Sequence, residues 1–175
     1  MCSSDLRGLI AFPTDEGMMV SWRLLEDDAK DIAFDLFRIV DGKSAKLNAA
    51  PLKQTTDFID AAPVKDARYR VVPAAGFTGL AGECKAWDKP YQRFELSDPK
   101  GRVDKVGIAD LDGDGRFDYV VRITSGNIDP WHVYWKKSPD TYKLEAFNAD
   151  GKRLWTYDQG WSIERGIWYS PFIVY

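Results

Sequence analysis

The 175-residue chain is long enough for one ordinary domain or two small ones, and its 45% apolar and 29% charged residues are typical of a globular protein. With 24 Lys and Arg against 27 Asp and Glu, the formal net charge is -3, which does not provide the basic surface of a nucleic-acid-binding protein. No apolar segment approaches the roughly 18 residues of a membrane helix. We therefore expect no nucleic acid and no membrane among the partners, and a single His excludes sites that need several histidines.

The composition favours an all-β protein, because aromatic residues make up 14% of the chain and occur with many Gly and Pro. From residue 7 to about residue 73, short alternating apolar segments are separated by turn residues, as in a small antiparallel β-sandwich. The charged segment 26–31 is predicted to be a loop, and Asp41-Gly42 is predicted to be a turn. The predicted strands of this part are residues 18–22, 34–39 and 67–72.

The next segment, residues 74–102, is predicted to be a linker followed by an entry strand. It begins with small and Gly-rich residues, and residues 91–96 then alternate as a strand does. The chain has only Cys2 and Cys84, too few for a disulfide framework, although a single bridge between them stays open. Residues 1–6 have neither the basic start nor the apolar core of a signal peptide and are set aside.

Residues 103–175 differ in pattern, with strands predicted at 103–109 and 119–123. Two further strands, 142–147 and 153–157, flank an Asp-Gly turn and predict a hairpin. The chain ends in an apolar run, residues 166–175, which is predicted to be a buried strand. Because a natural terminus rarely lies inside a buried strand, we expect the chain to be part of a longer protein.

Between the first two of these strands, residues 110–118 bring four carboxylates close together in the sequence. They would repel one another in a folded loop unless a cation held them, and oxygen ligands without Cys or His favour Ca²⁺. Gly115, at the sixth position, allows the sharp turn, and the seventh residue would contribute its backbone carbonyl. The predicted calcium ligands are Asp110, Asp112, Asp114, Arg116 and Asp118.

This loop is not predicted to belong to an EF-hand. Its twelfth position is Val121 rather than the bidentate Glu, and the flanking patterns indicate strands rather than helices. The loop instead resembles the Asp-x-Asp-Gly-Asp-Gly-x-x-Asp loops that join strands in β-propeller proteins. That resemblance implies that the calcium pins two strands together and takes no part in chemistry.

Two resemblances cover most of the chain. In residues 7–73, Trp22, the aromatic strand ending at Gly42 and Tyr69 resemble a fibronectin type III module, in which such Trp and Tyr residues pack in the core. With the calcium loop, the order of the later motifs resembles the N-terminal part of family 11 polysaccharide lyases, the rhamnogalacturonan lyases. Those motifs are Asn127-Ile-Asp-Pro-Trp-His-Val-Tyr-Trp135, Asp150-Gly-Lys-Arg-Leu-Trp155 and Gly160-Trp-Ser-Ile-Glu-Arg-Gly-Ile-Trp-Tyr-Ser170.

The second resemblance implies a fold for the whole chain. Residues 7–73 would be a fibronectin-like β-sandwich, and residues 103–175 would be the first, incomplete blade region of a calcium-binding, eight-bladed β-propeller. Eight blades of about 45 residues need roughly 350 residues, which agrees with a truncated chain.

The same resemblance implies a secreted or periplasmic, calcium-dependent enzyme that cleaves the rhamnogalacturonan backbone of pectin by β-elimination, and we expect a monomer. A base removes the C5 proton of galacturonate, and charge stabilisation at the carboxylate makes this proton acidic enough. Because a propeller site is assembled from several blades, no catalytic residue is assigned in this chain. The alternative is a non-catalytic, calcium-stabilised carbohydrate-binding or adhesion protein.

The sequence departs from the family where its enzymes commonly show Ala-Gly-Ala-His-Tyr, because residues 165–169 are Arg-Gly-Ile-Trp-Tyr. Trp168 could offer a sugar-stacking face, and Arg165 could bind a uronate carboxylate; core packing and a solvated charge are the alternatives. The stacking and core interpretations apply equally to three other tryptophans, Trp131, Trp135 and Trp161. The one histidine, His132, is predicted to be a strand-surface or loop residue.

Overall fold

A computed structural model of the protein describes residues 7–124, 126, 138–164, 166 and 168–174. These residues form strands, turns and loops and contain no helix, so the predicted all-β class is confirmed. Within this described part, no helix has the length and apolar character needed to cross a bilayer. The chain divides after Gln92 into two compact units, which we call the N-terminal unit and the C-terminal unit.

The N-terminal unit contains two antiparallel sheets built from seven strands. One sheet has the order β1-β2-β5 and the other has the order β4-β3-β6-β7. The strands are β1 (Ile10–Thr14), β2 (Gly17–Ser21), β3 (Phe34–Val40), β4 (Lys43–Lys46), β5 (Asp57–Asp60), β6 (Arg68–Pro73) and β7 (Gly82–Lys85).

Residues from both sheets form one apolar core, because alternate side chains of each strand point to the same side. In β2 the alternating pattern buries Met18 and Val20, as the sequence predicts. Trp22 and Tyr69 are buried in this core, and the Trp22 ring meets the Phe34 ring edge-on at 5.6 Å between centroids. Full burial of one such large side chain contributes about 1.5–3 kcal/mol, so these aromatic residues are major contributors to the stability of the unit.

Three charged side chains inside the N-terminal unit, Arg7, Asp28 and Asp60, have partners, whereas the buried indole nitrogen of Trp22 has none among the described residues. Asp60 accepts hydrogen bonds from the Tyr69 hydroxyl at 2.7 Å and from the Arg38 guanidinium at 2.7 and 2.9 Å. Arg7, whose side chain is fully buried, forms a two-bond ion pair with Asp28. Cys84 on β7 is a buried free thiol.

Turn residues close the β3–β4 hairpin as the sequence predicts. Asp41 and Gly42 have φ angles of 49° and 74°, which are left-handed values that match the twist of a two-residue hairpin turn. The loop predicted at residues 26–31 is also found as turns and irregular chain. The second sheet is extended by β7, which pairs with β6 although it begins in the Gly-rich segment predicted to be a linker.

The described residues of the C-terminal unit form one antiparallel sheet with the order β11-β10-β9-β8. Consecutive strands are neighbours, and the hairpin predicted around residues 148–152 joins β10 to β11 with a bulge between Ala146 and Phe147. The strands are β8 (Arg102–Ala109), β9 (Asp118–Thr124), β10 (Lys143–Phe147) and β11 (Arg153–Asp158).

Two strand predictions are wrong. Residues 91–96 form no strand; instead Phe94 and Leu96 pack on the sheet face against Val121, Ile123 and Phe147. The apolar alternation of this segment therefore reflects side-chain packing without strand pairing.

The final apolar run is not a buried strand either. Its described residues 168–174 are turn, bend and irregular chain, and the side chains of Trp168 and Ile173 are exposed. Arg122 on β9 holds this run in place by donating hydrogen bonds to the Tyr169 and Ser170 carbonyls. The same guanidinium forms an ion pair with Asp104. The described part of the run is therefore bound to the sheet by hydrogen bonds from a side chain, and not by backbone hydrogen bonds between strands.

Candidate metal centre

The acidic loop, residues 110–118, connects β8 to β9 in the C-terminal unit. Ala109 and Asp118 are paired across the two strands, so the ladder fixes the ends of the loop close together. Gly113 and Gly115 have φ angles of 77° and 84°, and beyond the adjacent residues no atom lies within 4 Å of where a Cβ would be at either position. The left-handed backbone, rather than lack of space, therefore favours glycine at both positions.

Three carboxylates of the loop converge on one point. Asp110, Asp112 and Asp118 each offer one oxygen, and these oxygens lie within 4.8 Å of one another. Asp118 and Asp110 are buried, whereas Asp112 is exposed at the rim. An oxygen-only donor set of three carboxylates fits a hard divalent cation, and it lies at the loop predicted from the sequence.

Backbone amides hold the buried carboxylates in place. Asp110 accepts the N–H groups of Gly113 at 2.8 Å and of Asp114 and Gly115 at 3.1 Å. Asp118 accepts the N–H of Leu111 at 2.7 Å through one oxygen and the N–H of Ala149 at 2.8 Å through the other. The second bond ties the acidic loop to the turn between β10 and β11.

The electrostatics of Asp118 also fit a cation. Burial raises the pKa of this carboxyl above its ordinary value, and the nearby Asp112 and Asp114 raise it further, although the Leu111 and Ala149 amides act in the opposite direction. Its ionised form is therefore less favoured in the loop than in a solvent-exposed Asp. A bound divalent cation would neutralise the repulsion and offset the burial.

Asp114 and Arg116, the other two predicted ligands, are engaged with each other. The Asp114 carboxylate accepts the Arg116 backbone N–H and the Arg116 Nε–H, each at 2.8 Å. The Arg116 guanidinium also forms two hydrogen bonds, at 2.7 and 2.9 Å, to the Asp150 carboxylate in the β10–β11 turn. Hydrogen bonds to Asp150 and Asp114 raise the pKa of Arg116, so it stays a cation. Metal coordination by the Asp114 carboxylate and the Arg116 carbonyl stays a prediction.

Sequence reasoning did not find Ala149 and Asp150 as partners of the loop. The Asp-Gly dipeptide at residues 150–151 signals a turn, and nothing in its spacing shows that this turn lies against residues more than thirty positions earlier.

Among the described interactions, none connects the predicted substrate contacts, Trp168 and Arg165, to the acidic loop. Trp161 and Trp168 are exposed over 66% and 70% of their surface, which leaves their ring faces accessible in this chain. The remaining residues singled out from the sequence, Trp131, His132, Trp135 and Arg165, lie outside the described residues.

The chain is similar to known proteins in two ways. The family model described as the rhamnogalacturonan I lyases beta-sheet domain matches residues 5–81. The chain is also 32% identical to the rhamnogalacturonan endolyase YesW and 30% identical to the rhamnogalacturonan exolyase YesX, both of Bacillus subtilis, over 97% of its own length. It spans 28% and 29% of the lengths of these two relatives.

Solved structures agree with this relationship. The Bacillus licheniformis rhamnogalacturonan lyase PL11 superposes with a TM-score of 0.74 at 26% identity, over 97% of this chain and 30% of that one. The crystal structure of the lyase YesW gives a TM-score of 0.73 at 28% identity, over 94% of this chain and 29% of that one. The resemblance found in the sequence is confirmed, because the chain is similar to rhamnogalacturonan lyases along almost its whole length.

Proposed function

We propose that the protein of which this chain is a part cleaves the rhamnogalacturonan backbone of pectin by β-elimination. The observation that carries this proposal is the similarity to a rhamnogalacturonan endolyase and a rhamnogalacturonan exolyase along almost the whole chain. Because the chain spans less than a third of these enzymes, the catalytic base is assigned to none of its residues. Its contribution is a folded part of the enzyme and a metal-bound loop.

The finer architecture belongs to the same proposal. The N-terminal unit is a fibronectin type III-like sandwich, which is supported by its two sheets of three and four strands around a common core. The C-terminal unit is the first blade of a β-propeller, which is supported by its four-stranded antiparallel sheet with neighbouring strands in chain order. The protein is a monomer that acts outside the cytoplasm, in the periplasm or after secretion.

Calcium is the cation that fits the acidic loop. Asp110, Asp112 and Asp118 supply only oxygen atoms, and the flexible ring of six to eight oxygens that Ca²⁺ accepts can be completed by backbone carbonyls and water. Bound there, calcium would neutralise the three carboxylates and join the end of β8 to the start of β9. This role is structural, because backbone hydrogen bonds hold the buried carboxylates where the loop joins the two strands.

Asp112→Ala tests the calcium assignment with little risk to folding, because this carboxylate is the exposed member of the cluster. We expect the variant to bind Ca²⁺ at least about tenfold more weakly in a calorimetric titration, since one of few charged ligands is removed. Asp15→Ala, an exposed carboxylate in the N-terminal unit, serves as the matched control and should bind as the unchanged chain does. Equal affinity of Asp112→Ala and the control would remove Asp112 from the ligand set.

A second candidate function is calcium-stabilised carbohydrate binding without catalysis. The observation in its favour is the exposure of Trp161 and Trp168, whose flat faces suit a pyranose ring. Arg165, three residues before Trp168 in the sequence, is the proposed partner of a uronate carboxylate.

The lyase activity is tested on the whole protein with rhamnogalacturonan as the substrate. β-Elimination creates a C4–C5 double bond, so we expect products that absorb in the near ultraviolet and a loss of this signal after calcium is chelated. Re-addition of Ca²⁺ should restore it. Binding of the polysaccharide without any rise in absorbance would favour the carbohydrate-binding function instead.

A further inference from the structure

We propose that Asp150, in the β10–β11 turn, is a positioning residue of the metal centre and acts on it through Arg116. This inference rests on the proposed calcium site. Asp150 follows the acidic loop by more than thirty residues and is not one of the three clustered carboxylates. Its two hydrogen bonds to the Arg116 guanidinium nevertheless connect it to the loop.

The connection matters because Arg116 places a permanent positive charge inside a loop that binds a cation. Its guanidinium contacts two carboxylates, Asp114 on one side and Asp150 on the other. With both in place, the charge of the guanidinium is neutralised, and the two-bond contact to Asp150 holds the group in one position. Asp150 therefore offsets the repulsion that Arg116 would exert on a bound cation.

The same contact affects Asp114. This carboxylate accepts one hydrogen bond from the Arg116 backbone N–H and one from the Arg116 side chain. Without Asp150, the guanidinium would have Asp114 as its remaining carboxylate partner among the described contacts, and would hold it more firmly away from the cation. Loss of Asp150 therefore weakens cation binding in two ways, and both require Arg116.

A double-mutant cycle separates this mechanism from a simple loss of negative charge. Ca²⁺ affinity is measured by calorimetry on the full chain and on the Asp150→Asn, Arg116→Gln and doubly substituted variants. We expect Asp150→Asn to weaken Ca²⁺ binding about fivefold, the upper range for an exposed ion pair, when Arg116 is present. The same substitution should leave the affinity of the Arg116→Gln variant within about twofold.

Two further variants complete the design. Asp150→Glu keeps a carboxylate and should restore most of the lost affinity. Asp158→Asn removes a carboxylate from the far end of β11, about 16 Å along the strand from the turn, and controls for net charge. Unfolding in the presence of a chelator should be unchanged by Asp150→Asn, because Asp150 is 66% exposed and its ion pair lies at the surface.

The outcomes are distinguishable. If the unchanged chain binds no Ca²⁺, the calcium site itself is overturned and the proposal with it. If the chain binds Ca²⁺ and Asp150→Asn weakens binding equally with and without Arg116, Asp150 acts only as a distant charge and the positioning role is overturned. A loss that depends on Arg116 and is reversed by Asp150→Glu supports it.

Discussion

Arg7 and Asp28 form the buried ion pair that gives the N-terminal unit its clearest acid sensitivity. Hydrogen bonds from the Arg7 guanidinium hold the pKa of Asp28 below its ordinary value, and the Leu25 amide acts in the same direction. The pKa of Asp28 is therefore lower in the folded state than in the unfolded state. Above the unfolded-state pKa of about 4, the ion pair contributes its full stability. This contribution is lost as the pH falls through the folded-state pKa.

Asp28→Asn should therefore cost about 3 kcal/mol of unfolding free energy at pH 7, the range for breaking a buried ion pair, and less at pH 3. Denaturant unfolding at the two pH values measures both quantities. Asp66→Asn is the control, because Asp66 forms only an exposed pair with Lys85 at 3.8 Å and should change stability by under about 0.5 kcal/mol. An equal loss at pH 3 and pH 7 would contradict the assignment to the charged pair.

Residues of the metal centre could be predicted from the sequence where they lie close together in the chain. The alternating carboxylates of residues 110–118 lie in one loop, so their spacing alone predicts that they meet, and Asp110, Asp112 and Asp118 do. The contacts of Asp150 and of the Ala149 amide with the acidic loop could not be predicted, because they depend on which strands pair in the sheet. The spacing also does not reveal that Arg116 binds Asp114 through its side chain.

At the scale of elements, β8 and the final apolar run meet at Gly107. A Cβ at this position would lie 2.6 Å from Val174 Cγ2 and 2.8 Å from Phe172 Cε2. Gly107→Ala should therefore displace the run from the sheet, at a cost of about 1–3 kcal/mol for the crowding.

Limited proteolysis with chymotrypsin measures this displacement, since Phe172 and Tyr169 lie in the run. We expect faster cleavage there in Gly107→Ala while β9 and β10 stay protected. Val106→Ala, a substitution at the neighbouring exposed position of β8, should leave cleavage unchanged. Equal cleavage rates in the two variants would show that the run tolerates a methyl group at Gly107.

Elements with a clear period and a turn signal were predicted well, and those decided by distant partners were not. β2, β3, β6 and the β10–β11 hairpin follow from alternation and turn residues. β7 has only four residues, and it is a strand because it pairs with the edge of β6. Residues 91–96 alternate as a strand does, yet Phe94 and Leu96 use that alternation to cover a sheet face, which local sequence does not distinguish.

At the scale of the whole molecule, the acidic loop belongs to the C-terminal unit. Calcium should therefore stabilise this unit by mass action, by about 2.7 kcal/mol at a hundredfold excess over the dissociation constant. We expect hydrogen exchange to slow mainly in residues 110–118 and 148–152 on calcium addition, because Asp118 links the two segments.

Asp118→Asn provides the comparison for this measurement. The variant should lose the calcium-dependent protection in both segments, while the exchange of β2 and β6 in the N-terminal unit stays as in the unchanged chain. Protection gained uniformly along the chain would indicate that calcium acts through something other than this loop.

The buried thiol of Cys84 on β7 can report how often the N-terminal unit opens. Burial raises the pKa of this thiol to about 12, so almost none of it is the reactive thiolate at neutral pH. Because β7 is the outermost strand of its sheet, an alkylating reagent can reach Cys84 either when this strand peels away or when the whole unit unfolds. The rate of its modification, read by mass spectrometry on the Cys84 peptide, therefore measures how often either opening event exposes the thiol.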